Sequence, residues 1–228
     1  MRKLIGLSFL TATLLASSAQ AQGIFIDRGD PSAISATANG VYSTDFMGGG
    51  VGGGWSYRGV FDAGGDVTFL KLTAGTNENL SRLAIAPFVT WHVLKAEADE
   101  LPISVSFVAS VIQQYYFGND PVASPSGSTW VLGASFYRRF ELGGSLVLVP
   151  EVFAAPQYAY TRYYSGALDQ PSANQTNEIN YRTEGKWGVR AVLRANLLIK
   201  AGNTKYLVVP YAGYVDAPSA GLQVGAMF

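Results

Sequence analysis

Residues 186–197 read Lys-Trp-Gly-Val-Arg-Ala-Val-Leu-Arg-Ala-Asn-Leu, and this stretch decides the fold. Every second side chain from the tryptophan onward is apolar, whereas the positions between them include the cations Lys186, Arg190 and Arg194. A period of two is typical of a β-strand that presents two different faces. The stretch exceeds the roughly 5–6 residues usual in globular sheets and matches the ~9–11 residues with which a tilted strand crosses a bilayer.

The same alternation recurs along the chain, most clearly in residues 83–93, 103–111 and 145–154. Counting back from the C-terminus predicts about ten strands, at 33–42, 51–61, 66–74, 83–94, 103–116, 129–140, 145–161, 186–199, 205–214 and 219–228. A count of eight also fits, because the first strand is weak and both 66–74 and 205–214 alternate poorly. The predicted fold is all-β: a transmembrane, antiparallel, up-and-down β-barrel.

The connections between these strands differ in length. Short turns are predicted at 62–65, 141–144 and 201–204, and longer polar loops at about 117–128 and about 162–184. Transmembrane barrels have short turns on the periplasmic side and long loops outside. An even strand count then puts both chain termini in the periplasm.

The start of the chain has the three parts of a secretory signal. Arg2 and Lys3 precede an apolar run, and residues 19–21, Ala-Gln-Ala, form a small-x-small cleavage site. The apolar run is shorter than the ~20 residues of a membrane-spanning helix. The predicted organisation is a signal peptide at 1–21 followed by an outer-membrane barrel domain at 22–228.

Composition narrows the class of protein further. Charged residues make up 14% of the chain, well below the ~25% of ordinary soluble domains. Aromatic residues reach 13%, and there are 26 glycines and no cysteines. With 16 basic and 16 acidic residues the chain has no basic stripe, so we expect no nucleic-acid partner. We expect neither a cofactor nor a metal, since there is a single histidine and no acidic cluster at calcium-loop spacing.

The last residues carry a resemblance to a known family. The final alternating apolar positions are Ala220, Leu222, Val224, Ala226 and Phe228, where the sequence stops. This pattern resembles the terminal strand of outer-membrane barrel proteins, whose assembly machinery recognises a final aromatic residue, here Phe228. The chain is similar to the broad group of small Gram-negative barrels that includes OmpA-like and OmpW-like proteins, without the motifs of one subfamily.

The resemblance implies a location and a set of partners. It implies a monomer in the bacterial outer membrane, exported through the periplasm. Its partners would be outer-membrane lipid, lipopolysaccharide and, during biogenesis, the barrel-assembly machinery. Such barrels carry two aromatic girdles. We expect Trp55, Trp130 and Trp187 near the outer interface, and Trp91 with Phe228 near the inner one.

Two features need a special explanation in a barrel. Pro87, Pro150, Pro156 and Pro210 fall inside predicted strands, although proline cannot donate to a strand ladder. They require bulges or shorter strands. The glycine run 48–54 matches a dinucleotide-binding pattern only by its density, because no helix pattern follows it. We interpret the run as a flexible hairpin that leads into a strand.

Four charged residues fall on the predicted lumen face: Arg58, Glu151, Arg190 and Arg194. Because 145–161 and 186–199 should be antiparallel neighbours, we expect an ion pair or network that includes Glu151 and Arg194. Buried charges must be paired, which favours a polar plug in a narrow barrel. The alternative interpretation is a selectivity filter, in which charged side chains choose ions.

His92 is the one candidate for acid–base catalysis, and its predicted place is inside the barrel near the periplasmic end. No nucleophile is predicted beside it, so we expect a hydrogen-bonding role and no enzyme activity. The leading hypothesis is a structural or surface-interaction protein with an occluded lumen. A narrow channel for ions or small solutes is the second hypothesis, and a lipid- or peptide-modifying enzyme is the third.

Overall fold

The computed structural model describes residues 23–26, 31–73, 81–117, 126–164, 181–202, 204–215 and 217–228. The predicted signal peptide at 1–21 lies outside these residues. So do most of the two predicted loops, at 118–125 and 165–180.

The described chain is built almost entirely of strands. They are Ala33–Ser43 (β1), Phe46–Tyr57 (β2), Phe61–Leu72 (β3), Ser81–Leu94 (β4), Ser104–Phe117 (β5), Ser126–Tyr137 (β6), Phe140–Gly143 (β7), Leu146–Tyr164 (β8), Tyr181–Ala201 (β9), Thr204–Val215 (β10) and Ala217–Met227 (β11). A four-residue helix, Ala96–Asp99 (α1), follows β4, and Gly23–Phe25 form a 3-10 turn. Within the described ranges no helix has the length and apolarity needed to span a membrane.

Ten of these strands close a barrel. Apart from β6 and β7, strands that follow each other pair antiparallel, β6 pairs with β8, and β11 returns to pair with β1. The short β7 pairs only with the edge of β8. The predicted antiparallel barrel of ten strands is therefore confirmed. We call the end where β1 begins and β11 finishes the termini end, and the other the loop end.

The two faces of each strand follow the alternation of the sequence. On β9, Trp187, Val189 and Leu193 are 60–72% exposed on the outside, whereas Arg190 and Arg194 are buried in the lumen. Leu132 on β6 is likewise 67% exposed. The barrel is thus inverted relative to a soluble protein, with large apolar side chains outside and many polar ones inside.

The first hairpins differ from the prediction. The predicted turn at 62–65 is wrong: those residues belong to β3, and the chain turns at Arg58 and Gly59, whose φ values are +50° and +63°. Two successive positive φ values are those of a tight type I′ hairpin turn. The glycine run 48–54 is not a loop either, since all of it lies in β2.

The wall explains why β2 is rich in glycine. A Cβ atom on Gly48, Gly50 or Gly64 would come within 2.1–2.4 Å of a backbone oxygen on the neighbouring strand. On the lumen side, β2 and β3 lie so close together that these positions have room only for the hydrogen atom of a glycine and not for a side chain. These glycines therefore allow the two strands of the barrel wall to pack closely.

The prolines interrupt the ladder without changing its register. Pairing between β4 and β5 skips Pro87 and resumes in the same register, and pairing of β6 with β8 skips Pro156 in the same way. Pro210 lies in an equivalent gap between β10 and β9. Pro150 lies just beyond the last β6 residue that pairs with β8. The missing N–H groups are therefore absorbed by local gaps, and the bulges we expected at the prolines are not found.

Aromatic side chains mark both ends of the wall. Trp130, Tyr158 and Trp187 are cross-strand neighbours near the loop end, and Trp91 lies near the termini end with Phe228. Trp55 lies near the termini end too, so its predicted place at the outer interface is wrong. The reason is that β2 ends at residue 57, earlier than predicted.

Candidate functional site

The interior near the termini end holds a carboxylate with several donors. Glu151 on β8 stands directly opposite Arg194 on β9, and Arg194 Nη1 donates to Glu151 Oε1 at 2.7 Å. Ser135 Oγ on β6 donates to the same oxygen at 2.6 Å, and Asn196 Nδ2 donates to Glu151 Oε2 at 3.1 Å. We call these four residues the Glu151 cluster. They come from inward positions on three adjacent strands.

Burial makes this cluster electrostatically strong. Glu151 is 4% and Arg194 is 5% exposed, so water screens their charges little. Asn196 also donates to the Val149 carbonyl at 2.9 Å, which holds its amide in place. The guanidinium of Arg194 lies 5.7 Å from the centre of the Phe153 ring. The cluster is a fixed ion pair with neutral hydrogen-bonding partners, and it occupies the lumen.

The other two predicted members of the network lie elsewhere. Arg190 is buried on the same face of β9, two inward positions from Arg194 toward the loop end. Arg58 is exposed in the β2–β3 turn, so its predicted place in the lumen is wrong. The early turn carries it out of the strand.

A second polar group surrounds the histidine. His92 Nε2 lies 2.9 Å from Asp62 Oδ2 on β3, and His92 Nδ1 lies 2.7 Å from Ser106 Oγ on β5. The hydroxyl of Tyr137 on β6 lies 3.0 Å from the same Nδ1. We call Asp62, His92, Ser106 and Tyr137 the His92 cluster. Sequence analysis missed its members other than His92, because the misplaced turn removed Asp62 from its strand.

The order carboxylate, imidazole, hydroxyl resembles the chain of groups in serine hydrolases. In the tautomer that carries the proton on Nε2, His92 donates a hydrogen bond to Asp62 Oδ2, and Nδ1 accepts one from a hydroxyl. Two hydroxyls, those of Ser106 and Tyr137, compete for that one acceptor. Asp62, His92 and Ser106 are each only 1% exposed, so a substrate does not reach the serine in this structure. The arrangement satisfies buried polar groups.

A third buried cation lies closer to the loop end. Arg82 on β4 is fully buried, and its Nη1 donates to Gln114 Oε1 at 3.3 Å. Tyr116 donates its hydroxyl to the same oxygen at 2.9 Å. The guanidinium also lies about 6 Å from the ring centres of Phe46 and Tyr116. Continuing the alternation of β4 back by one residue from Leu83 would have placed Arg82 inside.

The N-terminal residues fill the lumen at the termini end. Ile24, Phe25 and Ile26 are 3–5% exposed although no strand pairs with them in the described part of the chain. They belong to a buried apolar cluster with Ala33, Tyr137, Val147, Val149, Leu198, Leu207 and Met227. The amine of Lys95 donates to the Ile26 carbonyl. Nothing in the sequence pattern indicated this contact.

In the ranges that the structure describes, no group of three or more His, Cys, Asp or Glu side chains could hold a metal ion. The buried carboxylates of Asp62 and Glu151 face a histidine and an arginine instead.

Comparison with known proteins yields similarity to solved structures only. No protein-family model matches the chain, and no curated protein matches it. The β domain of the Bordetella autotransporter BrkA is 14% identical, with a TM-score of 0.45, over 87% of this chain and 99% of that one. Ail, the attachment invasion locus protein of Yersinia pestis, is 10% identical, with a TM-score of 0.37, over 86% and 96%. The N-terminal β-barrel domain of Pseudomonas aeruginosa OprF is 15% identical, with a TM-score of 0.30, over 86% and 97%.

Proposed function

We propose that this chain is a non-enzymatic barrel of the bacterial outer membrane whose lumen is closed by its own side chains, and that it has a structural or surface-interaction role. The observation that carries the proposal is the Glu151 cluster, an ion pair with two further donors inside a narrow barrel. A barrel of about eight strands is just wide enough for its own side chains, and the ten strands here enclose a lumen only moderately wider. A salt-bridged layer therefore leaves little room for a solute.

The outer surface supports the membrane location. Large apolar side chains such as Trp187, Leu132 and Val189 are about two-thirds exposed around the wall. A soluble monomer rarely exposes a continuous apolar surface of this kind, whereas the lipid-facing band of a barrel requires it. Outer-membrane lipid and lipopolysaccharide are the partners we propose for this band. Phe228, 68% exposed at the end of the last strand, would serve as the signal for the assembly machinery.

A channel is the weaker hypothesis. Three lumenal arginines, Arg58, Arg190 and Arg194, would bias a channel toward anions, but Arg58 is outside the lumen. Among the described residues, three buried acidic side chains nearly balance four buried cations: Asp62, Asp66 and Glu151 against Arg82, Lys95, Arg190 and Arg194. The described lumen therefore lacks the large excess of cations that anion selection requires.

Planar-bilayer conductance of the purified, heat-modifiable barrel tests the proposal. We expect the wild type and Glu141→Ala to be silent, since Glu141 is exposed at the termini end. Glu151→Ala removes the carboxylate at the centre of the cluster. Openings in that variant alone would assign closure of the lumen to the cluster. Steady openings of the wild type would overturn the proposal in favour of a channel, and silence of both variants would show that the cluster is not the sole barrier in the lumen.

A further inference from the structure

We propose that residues 23–26 are a stopper, a detachable segment that closes the termini end of the lumen and is held there by Lys95. The inference rests on the proposed function, because a stopper has a role only in a barrel whose lumen is closed. It adds a second barrier, in series with the Glu151 cluster and of different chemistry.

The apolar contacts show how the stopper is held. Ile24, Phe25 and Ile26 put three large side chains into one cluster with residues of β6, β8, β9, β10 and β11. Val147 and Leu198 in that cluster are essentially inaccessible to water. Such burial of apolar side chains drives the segment into the lumen without any strand pairing.

The cluster also spans the seam where the barrel closes. Ala33 is in β1 and Met227 is in β11, and these two strands pair from Ser35 opposite Met227 onward. The backbone of Phe228 continues the seam through two hydrogen bonds with Ile34, at 2.9 and 3.0 Å. The segment therefore packs against both sides of the closing seam.

Lys95 supplies a polar lock. Its ammonium group donates a hydrogen bond to the Ile26 carbonyl. Lys95 as a residue is only 3% exposed. Helix α1 fixes the Lys95 backbone, since the Lys95 N–H donates to Asp99 Oδ2 at 2.8 Å and the Lys95 carbonyl accepts from the Asp99 N–H at 2.9 Å. Ser104 Oγ accepts from the Ala96 N–H at 2.8 Å. The connection between β4 and β5 thus aims one cation at the stopper.

The segment can leave without opening the wall. In the described part of the chain it makes no ladder hydrogen bonds with any strand. If the signal peptide predicted at 1–21 is removed, the segment lies next to a free chain end. A free end enters and leaves a lumen without threading a loop, and local openings of this kind cost less than unfolding the barrel.

Cysteine accessibility tests the stopper, because the chain has no cysteine of its own. Phe25→Cys is compared with Glu97→Cys, an exposed position at the same end, using a membrane-impermeant maleimide on the heat-modifiable barrel in detergent. We expect Phe25→Cys to react about tenfold more slowly, as a site that reacts only through local opening does. Ile24→Cys is the substitute if Phe25→Cys does not fold. Equal rates for the buried and the exposed position would overturn the stopper.

Adding Lys95→Met tests the lock. We expect it to raise the reaction rate of Phe25→Cys several-fold and to leave the rate of Glu97→Cys unchanged. An unchanged Phe25→Cys rate would overturn the assignment of Lys95 as the lock. Labelling does not depend on conductance, so the two proposals fail separately. A conducting wild type with a protected Phe25→Cys contradicts the closed lumen and the closing role of residues 23–26, but not their burial in the lumen. A silent wild type with a reactive Phe25→Cys contradicts only the stopper.

Discussion

Glu151 and Arg194 stand opposite each other in the β8–β9 ladder and meet at 2.7 Å inside the barrel. Both side chains point away from the apolar outer surface, and Ser135 and Asn196 donate further hydrogen bonds to the carboxylate. Desolvating two charges is costly, and the hydrogen bonds around the pair offset that cost only while both partners are present.

Removing one partner of this pair should destabilise the barrel strongly. Glu151→Ala leaves the Arg194 guanidinium buried without its counter-charge, and we expect a loss of about 3–5 kcal/mol in the free energy of unfolding. Urea unfolding in lipid vesicles, followed by tryptophan fluorescence, measures it. Glu141→Ala is the control and should cost no more than about 1 kcal/mol, because the ion pairs that it removes are exposed.

The double variant Glu151→Ala, Arg194→Ala separates the interaction energy between the two side chains from the contribution that each makes alone. We expect it to be more stable than Glu151→Ala alone, because no unpaired buried charge remains, which gives a coupling energy of about 0.5–3 kcal/mol. Additive effects of the two substitutions would contradict the ion pair.

Strands with two chemically different faces were predictable, whereas the glycine-rich β2 was predicted only in part, at 51–61 instead of Phe46–Tyr57. The alternation of β9 predicted its faces because lipid and lumen demand opposite side chains at neighbouring positions. Residues 48–54 are almost all glycine and show no alternation of polar and apolar side chains, so nothing in the composition distinguished a strand from a loop. The backbone approach that requires those glycines is set by β3, a separate part of the sequence.

The same reasoning applies to the interior. Glu151 and Arg194 were predictable as a pair because one hairpin sets their register. The His92 cluster needs side chains from β3, β4, β5 and β6 at one height. The turn was predicted at 62–65 instead of at Arg58, which left Asp62 out of its strand. A local error in the prediction therefore removed a contact between distant parts of the sequence. The burial of residues 24–26 depends on a cluster with residues of six strands, which no local pattern contains.

Ser106 should be unreactive toward a fluorophosphonate probe that labels activated serines. Its Oγ lies 2.7 Å from His92 Nδ1, but its burial denies the probe access, and Tyr137 competes for the same nitrogen. We expect no labelling of the folded wild type under conditions that label a known serine hydrolase. Labelling that disappears in Ser106→Ala would instead reveal a hydrolytic site and contradict the absence of enzyme activity.

The Glu141 carboxylate should make stability weakly dependent on pH at the termini end. Partial burial opposes the shift, but the hydrogen bond from Arg139 and the charges of Arg139 and Lys200 lower the pKa of Glu141 below its ordinary value. Arg139 Nη2 lies 2.5 Å and Lys200 Nζ lies 3.6 Å from its oxygens. A lowered folded-state pKa stabilises the barrel above the ordinary pKa of glutamate, and the effect is lost as the pH falls through the folded value.

Glu141→Gln isolates this contribution. At neutral pH we expect the variant to be less stable than the wild type by about 0.2–1 kcal/mol, because Glu141 is exposed and salt screens the pair. The difference should shrink as the pH falls through the lowered pKa of Glu141. A difference that persists unchanged below that pH would show that the contacts of Glu141 are not electrostatic. Urea midpoints at several pH values measure it.

Two glycines of the wall give opposite expectations for the same substitution. A Cβ on Gly64 would lie 2.3 Å from the Gly53 carbonyl oxygen and 2.7 Å from the Phe88 ring. Gly64→Ala must therefore push β2 and β3 apart, and we expect it to cost about 1–3 kcal/mol. A Cβ on Gly40 has no neighbour within 4 Å, so Gly40→Ala should be neutral or stabilise the barrel by up to about 1 kcal/mol by restricting the unfolded chain. Unfolding midpoints of the two variants in the same vesicles decide the matter. Equal effects would mean that the glycines of β2 and β3 are not required by a close approach of the two strands, and that these positions have space for a Cβ atom.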